Sequence, residues 1–160
     1  MIEQLKRFRL FEEMTNDELG QIAGHCTVRK VEKGTALFAS EDPAEFLFLV
    51  AKGGVDLCCR VSYKHAESDV SIDHISEGDA LGWSALTPPF RYHLAACAAE
   101  DTELIQIDRH ALDEICRGDP AIGYKLMKNT AAMIGRRVAA LQETVRDLIQ
   151  QGLKDKESST

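Results

Sequence analysis

The sequence predicts a mainly β domain with flanking helices, and three observations support this fold class. Between about residues 27 and 107, short aliphatic and β-branched runs alternate with turn residues at the near-regular spacing of a sandwich, barrel or jelly roll. A helix start precedes this region, and helical periodicity follows it. With 160 residues, 44% of them hydrophobic, the chain is long enough to bury one core.

The N-terminal segment carries the start of a helix. The four residues from Thr15 to Glu18 have the Ser/Thr-x-x-Glu form of a capping box, in which each end side chain binds the backbone N–H of the other. Leu19, Ile22 and Ala23 follow at helical spacing and supply an apolar face. We therefore expect a short helix that packs against the β region.

The β region is divided by glycines. Its predicted strands are 28–31, 36–38, 46–50, 55–61, 70–75, 94–98 and 104–107. The glycines that separate them are Gly34, Gly53, Gly54, Gly78 and Gly82. Glycine is suited to these places because a closed barrel needs tight turns and positive φ angles there.

Two helices are predicted after the last strand. Asp108 is placed to cap a short helix that bears Leu112 and ends at Gly118. Asp119 and Pro120 then form the N-cap and first position of a second helix, where the missing proline N–H has no consequence.

The second helix has a heptad seam, because its apolar residues recur at alternating steps of three and four. They are Tyr124, Met127, Ala131, Ile134, Val138, Leu141, Val145 and Leu148. Valine at one seam position and leucine at the other favour a parallel two-stranded coil. The seam could instead pack on its own barrel, but a helix of ~30 residues spans ~45 Å, longer than the domain. We expect a homodimer whose interface runs from Met127 to Leu148, with residues 1–118 as the barrel domain, 119–151 as the dimerisation helix and 152–160 as a flexible tail.

Charge and hydropathy restrict the partners and the location. The net charge of −7 opposes non-specific binding to nucleic acid or to an anionic membrane. The charged residues among the first ten positions exclude a secretory h-region, and no apolar run approaches the ~20 residues of a membrane span. We expect a cytoplasmic protein. Since few residues follow Leu148, a role in transcription would require a partner protein rather than direct DNA binding.

No pattern in the sequence indicates catalysis or a metal. The five cysteines are an odd number, and Cys58 and Cys59 are adjacent, which does not indicate a disulfide framework. No spacing of cysteine and histidine suits a zinc site, and no nucleophile elbow, phosphate-binding loop or metalloprotease motif is present. We therefore expect no catalytic residues and no metal.

The ordered set of local motifs resembles the cyclic-nucleotide-binding domain family, which includes the bacterial catabolite activator and the regulatory subunits of kinases. The motifs that carry the resemblance are Leu10-Phe11, Val31-Glu32-Lys33-Gly34, Leu37-Phe38, Phe46-Leu47-Phe48-Leu49-Val50, Gly53, Val55 and Gly78-Asp79-Ala80-Leu81-Gly82. The resemblance covers about residues 8 to 148. It implies a double-stranded β-helix, or jelly-roll barrel, with an N-terminal helix and a long C-terminal dimerisation helix.

The resemblance also implies a phosphate-binding cassette, which departs here from the family pattern. Gly82 and the amides of Ser84 and Ala85 match the part that approaches an anion. The position of the ribose-binding Glu is Trp83, which has one donor and no acceptor. The position of the phosphate-binding Arg is Tyr92. The neighbouring residues Arg91 and His93 are further candidate ligand contacts, although Arg91 reaches the pocket only if the strand bulges.

Two functions remain open from the sequence. In the first, the domain is a regulatory sensor that binds cAMP, cGMP or another phosphorylated small molecule, with Trp83 stacked on the base. In the second, Trp83 and Tyr92 fill the former pocket, and the domain is a scaffold that dimerises or docks onto a partner protein. The two differ in whether Trp83 closes the cavity or covers an open one.

Overall fold

The computed structural model describes residues 1–159, which fold into a β-roll flanked by helices. The helices are α1 (Ile2–Leu5), α2 (Asn16–Ala23), α3 (Arg109–Gly118) and α4 (Pro120–Ser158), with 3-10 turns at Arg9–Phe11 and Trp83–Leu86. The strands are β1 (Cys26–Val31), β2 (Ala36–Phe38), β3 (Phe46–Lys52), β4 (Gly54–Tyr63), β5 (Ala66–Ser76), β6 (Ala80–Leu81), β7 (Ala95–Ala98) and β8 (Thr102–Asp108). The predicted fold class is confirmed.

The strands form two antiparallel four-stranded sheets. One has the order β1-β8-β3-β6 and the other the order β2-β7-β4-β5. Neighbouring strands in each sheet are mostly distant in sequence, as in a jelly roll, where the chain passes repeatedly from one sheet to the other. This topology brings β6 and the turn that follows it beside β3.

The core fills the roll and continues under the helices. Four consecutive residues of β3, from Leu47 to Val50, are all buried, so both faces of this strand are covered. Apolar residues from α2, α3 and α4 belong to the same buried cluster; among them are Leu19, Leu112 and Leu126. The helices are therefore part of the packed domain.

The predicted helix starts are present as side-chain caps. Thr15 Oγ1 accepts from the Glu18 N–H at 3.2 Å, and Glu18 Oε2 accepts from the Thr15 N–H at 2.7 Å. Asp108 accepts from the N–H of Ala111 and so caps α3. Asp119 caps α4, with proline at its first position.

The first turns of α4 are fixed to the N-terminal segment. The Lys125 ammonium donates to both carboxylate oxygens of Glu18, at 2.9 and 2.7 Å. Asn129 is buried, and its side-chain amide donates to the carbonyls of Leu10 and Glu12 at 3.0 and 2.9 Å. These contacts set the direction in which α4 leaves the domain.

The α4 helix has two faces with different surroundings. Its inward face packs on the domain through Ile122, Leu126 and Met133, whereas Arg137 is the last residue of the helix that is not exposed. All residues from 138 to 159 are exposed. In the heptad seam, Ile134 is partly buried and the other predicted members are exposed.

The C-terminal helix is longer than the sequence indicated. It continues past residue 151 to Ser158, through Gly152 and the segment predicted as a flexible tail; Thr160 lies outside the described residues. The residues after Gly152 include good helix formers, and one interior glycine costs only ~1 kcal/mol. No helix within residues 1–159 combines the length and hydropathy that a membrane span requires.

Candidate functional site

A small cavity lies between the 3-10 turn Trp83–Leu86, the inner wall of the roll and α4. Its volume is about 90 Å³. The lining residues are Phe38, Leu57, Gly82, Trp83, Ser84, Tyr92, His93, Leu94 and Arg137. Most of them come from the region that the sequence singled out, and Arg137 comes from the helix that follows the barrel.

Gly82 allows the backbone to turn tightly at the cavity. Its φ angle is +78°, in the left-handed region that side chains rarely adopt. A Cβ added there would lie 3.0 Å from the carbonyl oxygen of Phe46 and 3.2 Å from the Tyr92 ring. Glycine is therefore required both by the turn and by the close approach of β3.

Tyr92 occupies the floor of the cavity. It is 4% exposed, and its ring stacks on Phe38 with the centroids 3.7 Å apart. Its hydroxyl donates to the carbonyl of Phe46 at 2.7 Å and accepts from the N–H of Phe46 at 3.1 Å. Burial raises the pKa of this hydroxyl above its ordinary value, so Tyr92 presents no charge to the cavity at neutral pH.

Arg91 lies outside the cavity, contrary to the arrangement in which a bulge would turn it inward. Tyr92 and Asp42 are joined by a backbone hydrogen bond of 3.0 Å, and Pro43 pairs with Arg91 as an isolated bridge. This pairing turns Tyr92 inward and leaves Arg91 exposed, where its guanidinium donates to the carbonyl of Glu41 at 2.7 Å. The predicted contact of Arg91 with a ligand therefore has no geometric support.

The other predicted ligand contacts have different positions. Ser84 is buried, and Trp83 is half-buried at the edge of the cavity. The rings of Trp83 and His93 are tilted relative to each other, and their centroids are 5.8 Å apart. His93 is exposed. Ala85 does not line the cavity, and its N–H donates to the carbonyl of Gly82 at 3.0 Å. The expectation that the Ala85 amide faces an anion is thus not met, because this N–H is hydrogen-bonded within the tight turn.

Arg137 is a charged lining residue that was not predicted from the sequence. Its guanidinium donates to the carbonyl of Ala80, and its Nε lies 3.9 Å from a carboxylate oxygen of Asp73. Burial lowers the pKa of Arg137, whereas the carboxylates of Asp73 and Asp79 act in the opposite direction. The positions 126, 133 and 137 all fall on one face of α4, and the first two are apolar. An arginine on this otherwise apolar face was the sequence signal that could have identified it.

Other chemistry is limited in the part of the chain that the structure describes. Across residues 1–159, no three histidine, cysteine, aspartate or glutamate side chains are grouped as a metal site requires. The five cysteines are free thiols, all partly buried. Burial raises the pKa of Cys26 and Cys58 to about 11, which disfavours their thiolate forms.

Comparisons with known proteins agree with the fold. The sequence matches the family described as the cyclic nucleotide-binding domain over residues 28–119. A protein named anaerobic regulatory protein, from Bacillus subtilis (strain 168), is 30% identical over 139 residues, which are 80% of this chain and 51% of the relative. The chain thus spans about half the length of this curated relative.

Two solved structures show the same architecture. A protein described as cyclic nucleotide-binding, from Geobacter metallireducens GS-15, superposes with a TM-score of 0.73 and 29% identity, covering 85% of this chain and 96% of that one. The catabolite activator protein of Thermus thermophilus superposes with a TM-score of 0.66 and 25% identity, covering 88% of this chain and 62% of that one. The family match spans more than half of the sequence, and the motifs, the roll and the helices agree with it: this chain belongs to the cyclic nucleotide-binding domain family.

Proposed function

We propose that this chain is a regulatory module without catalytic activity whose β-roll cavity binds a cyclic nucleotide, cAMP or cGMP, or a related phosphorylated small molecule. One observation supports the proposal: a cavity lies at the predicted phosphate-binding cassette, and both the turn at Gly82 and the cationic side chain of Arg137 line it. A concave site that combines apolar walls with a few polar groups is the usual form of a small-molecule site.

The ligand requires the cavity to widen. Its volume of about 90 Å³ is smaller than the roughly 300–1,000 Å³ of ordinary ligand sites. The floor is fixed, because Tyr92 is stacked on Phe38 and hydrogen-bonded to Phe46. Trp83 and Arg137 form the more accessible side, since both are only partly buried. We expect the ligand to displace these two side chains.

The lining residues suggest how a nucleotide would be held. Trp83 provides a broad aromatic surface on which a base can stack. His93 lies beside the indole at the rim and has ring nitrogens for a hydrogen bond. A ribose hydroxyl has no carboxylate partner among the lining residues, so we expect weaker discrimination at the sugar than a glutamate would provide.

The same proposal includes a homodimer through α4. The seam residues beyond Arg137 keep much of their apolar surface exposed in the single chain; Val138, Leu141, Val145 and Leu148 are 44, 44, 54 and 63% exposed. A second copy that presents the same seam would bury them in a parallel coil. Because α4 also closes the cavity, a ligand that moves Arg137 would change the approach of the two helices, provided that it binds the two states unequally.

Binding is tested by calorimetric titration of the purified chain with cAMP and with cGMP, alongside tryptophan fluorescence. We expect saturable binding and reduced quenching of Trp83 by acrylamide in the complex, since Trp83 is the only tryptophan. Arg91→Ala is the control and should bind like wild type, because Arg91 lies outside the cavity. Absence of binding by wild type at millimolar cAMP and cGMP would refute the function as a cyclic-nucleotide sensor.

A second function is favoured by the way Tyr92 fills the family's phosphate position. In this alternative the chain is a ligand-free scaffold that dimerises or docks onto a partner protein. The two functions are separated by Tyr92→Arg: a scaffold has no nucleotide affinity in the wild type and gains it only when the arginine is introduced. A sensor binds nucleotide before the substitution.

A further inference from the structure

Resting on the sensor function proposed above, we infer that Arg137 of α4 is the residue that binds the anionic group of the ligand. Among the described residues, the barrel contributes no arginine to the cavity lining, whereas the helix contributes Arg137. The ligand then links the roll directly to the helix that carries the dimer seam.

Arg137 is the one guanidinium that lines the cavity among residues 1–159. The floor residue Tyr92 is neutral, and Arg91 is directed outward to the carbonyl of Glu41. The His93 imidazole is exposed at the rim. Since a phosphodiester keeps its negative charge at neutral pH, it will pair most favourably with the permanent charge of Arg137.

The present partners of Arg137 are replaceable. The carbonyl of Ala80 is a neutral acceptor, and the Asp73 carboxylate is at 3.9 Å, the limit of an ion pair. Charge-assisted, bidentate bonds between a guanidinium and a phosphate are stronger than hydrogen bonds between neutral groups. A bound phosphate can therefore take Arg137 away from β6 and β5.

Because of where Arg137 lies, a change of its hydrogen-bond partners affects how the helix is attached to the roll. It is the last residue of α4 that is not exposed, and all residues from 138 to 159 lie in contact with solvent. The bond to Ala80 joins residues 57 positions apart and fixes the helix to β6 where it leaves the domain. Ligand binding would replace that attachment by one through the ligand.

The direct test compares Arg137→Gln with the matched variant Arg91→Gln in calorimetric titrations with cAMP and cGMP. Losing a charged hydrogen bond weakens binding about 10- to 150-fold, so we expect that loss in Arg137→Gln and none in Arg91→Gln. Adenosine, which lacks the phosphate, should bind wild type and Arg137→Gln equally. A loss that is equal for adenosine and cAMP would overturn the inference, because it would indicate a general disturbance of the cavity.

A second variant keeps the inference testable if Arg137→Gln fails to fold. Asp73→Asn removes the competing carboxylate without changing the cavity lining. It should tighten cAMP binding by about 2- to 5-fold, the scale of a weak ion pair. Unchanged or weaker binding in this variant would overturn the inference.

The outcomes separate the two proposals. If wild type binds cAMP or cGMP and Arg137→Gln binds it equally well, the sensor function stands and the role of Arg137 is refuted. If wild type binds neither nucleotide, the function as a cyclic-nucleotide sensor and the role of Arg137 in it are both refuted.

Discussion

A single hydroxyl, that of Tyr92, satisfies both backbone groups of Phe46, donating to its carbonyl at 2.7 Å and accepting from its N–H at 3.1 Å. Phe46 is the first residue of β3, where the sheet ladder begins. The side chain at the family's phosphate position thus contributes to the structure of the roll and also restricts the cavity.

Removal of that hydroxyl should destabilise the domain. Tyr92→Phe leaves the two backbone groups of Phe46 without this partner, and we expect the free energy of unfolding to fall by about 1–3 kcal/mol. Urea denaturation followed by circular dichroism measures the change. Tyr63→Phe is the control, because Tyr63 is 72% exposed. Equal stability of the two variants would contradict the bridging role of Tyr92.

Gly82 and Gly34 provide a matched pair for the cassette turn. Both have positive φ angles, +78° and +84°, but only at Gly82 would a Cβ meet neighbouring atoms within 4 Å. Gly34→Ala should cost about 1 kcal/mol for the backbone conformation alone. Gly82→Ala should cost a further ~1–3 kcal/mol because Phe46 and Tyr92 must shift. Thermal melting of both variants tests this difference in stability. Equal losses of stability would contradict the close approach of Phe46 and Tyr92 to Gly82.

The ion pair between Glu18 and Lys125 predicts a stability that depends on pH. The hydrogen bond from Lys125, followed by that from the Thr15 N–H, lowers the pKa of Glu18 below its ordinary value of 4.5. Because the folded-state pKa is the lower one, the stabilisation is present above about pH 4.5 and is lost as the pH falls through the folded-state pKa.

We therefore expect Glu18→Gln to lower the melting temperature by roughly 2–4 °C at pH 7, with a smaller difference from wild type at pH 3. Glu143→Gln, on the exposed part of α4, serves as the control and should show no effect at either pH. A difference for Glu18→Gln that is independent of pH would show that the pair does not act through its charge.

The seam predicts a specific loss of dimerisation. Leu141→Glu places a charge at a core position of the expected coil, so the protein should sediment as a monomer in analytical ultracentrifugation. Ala139→Glu adds the same charge to an exposed position of α4 outside the seam and should leave the dimer intact. Monomers of wild type, or equal behaviour of the two variants, would contradict dimerisation through this face.

Local features of the fold were predictable from the sequence because their causes are local. The caps at Thr15, Asp108 and Asp119 are formed by side chains a few residues from the groups that they bind. The two-residue strand β6 was not predicted, because its pairing of Leu81 with Phe48 connects distant parts of the chain. Such a short strand has no period to detect.

The candidate site was partly predictable for the same reason. Gly82, Trp83, Ser84, Tyr92 and His93 were singled out by resemblance and line the cavity. Whether Arg91 or Tyr92 faces the cavity depends on the isolated β-bridge between Pro43 and Arg91, and the periodicity of the sequence cannot show such a bridge. Arg137 was missed because its relation to the cavity arises only when α4 packs back over the roll.

The exposed part of α4 has a mechanical consequence. From residue 138 to Ser158 the helix runs for roughly 30 Å at 1.5 Å per residue, and every residue of this part is exposed. A stiff rod of that length amplifies motion at its base, so a tilt of about 10° at Arg137 moves the far end by roughly 5 Å. An event on the scale of one side chain inside the roll can in this way be transmitted to a surface far from it.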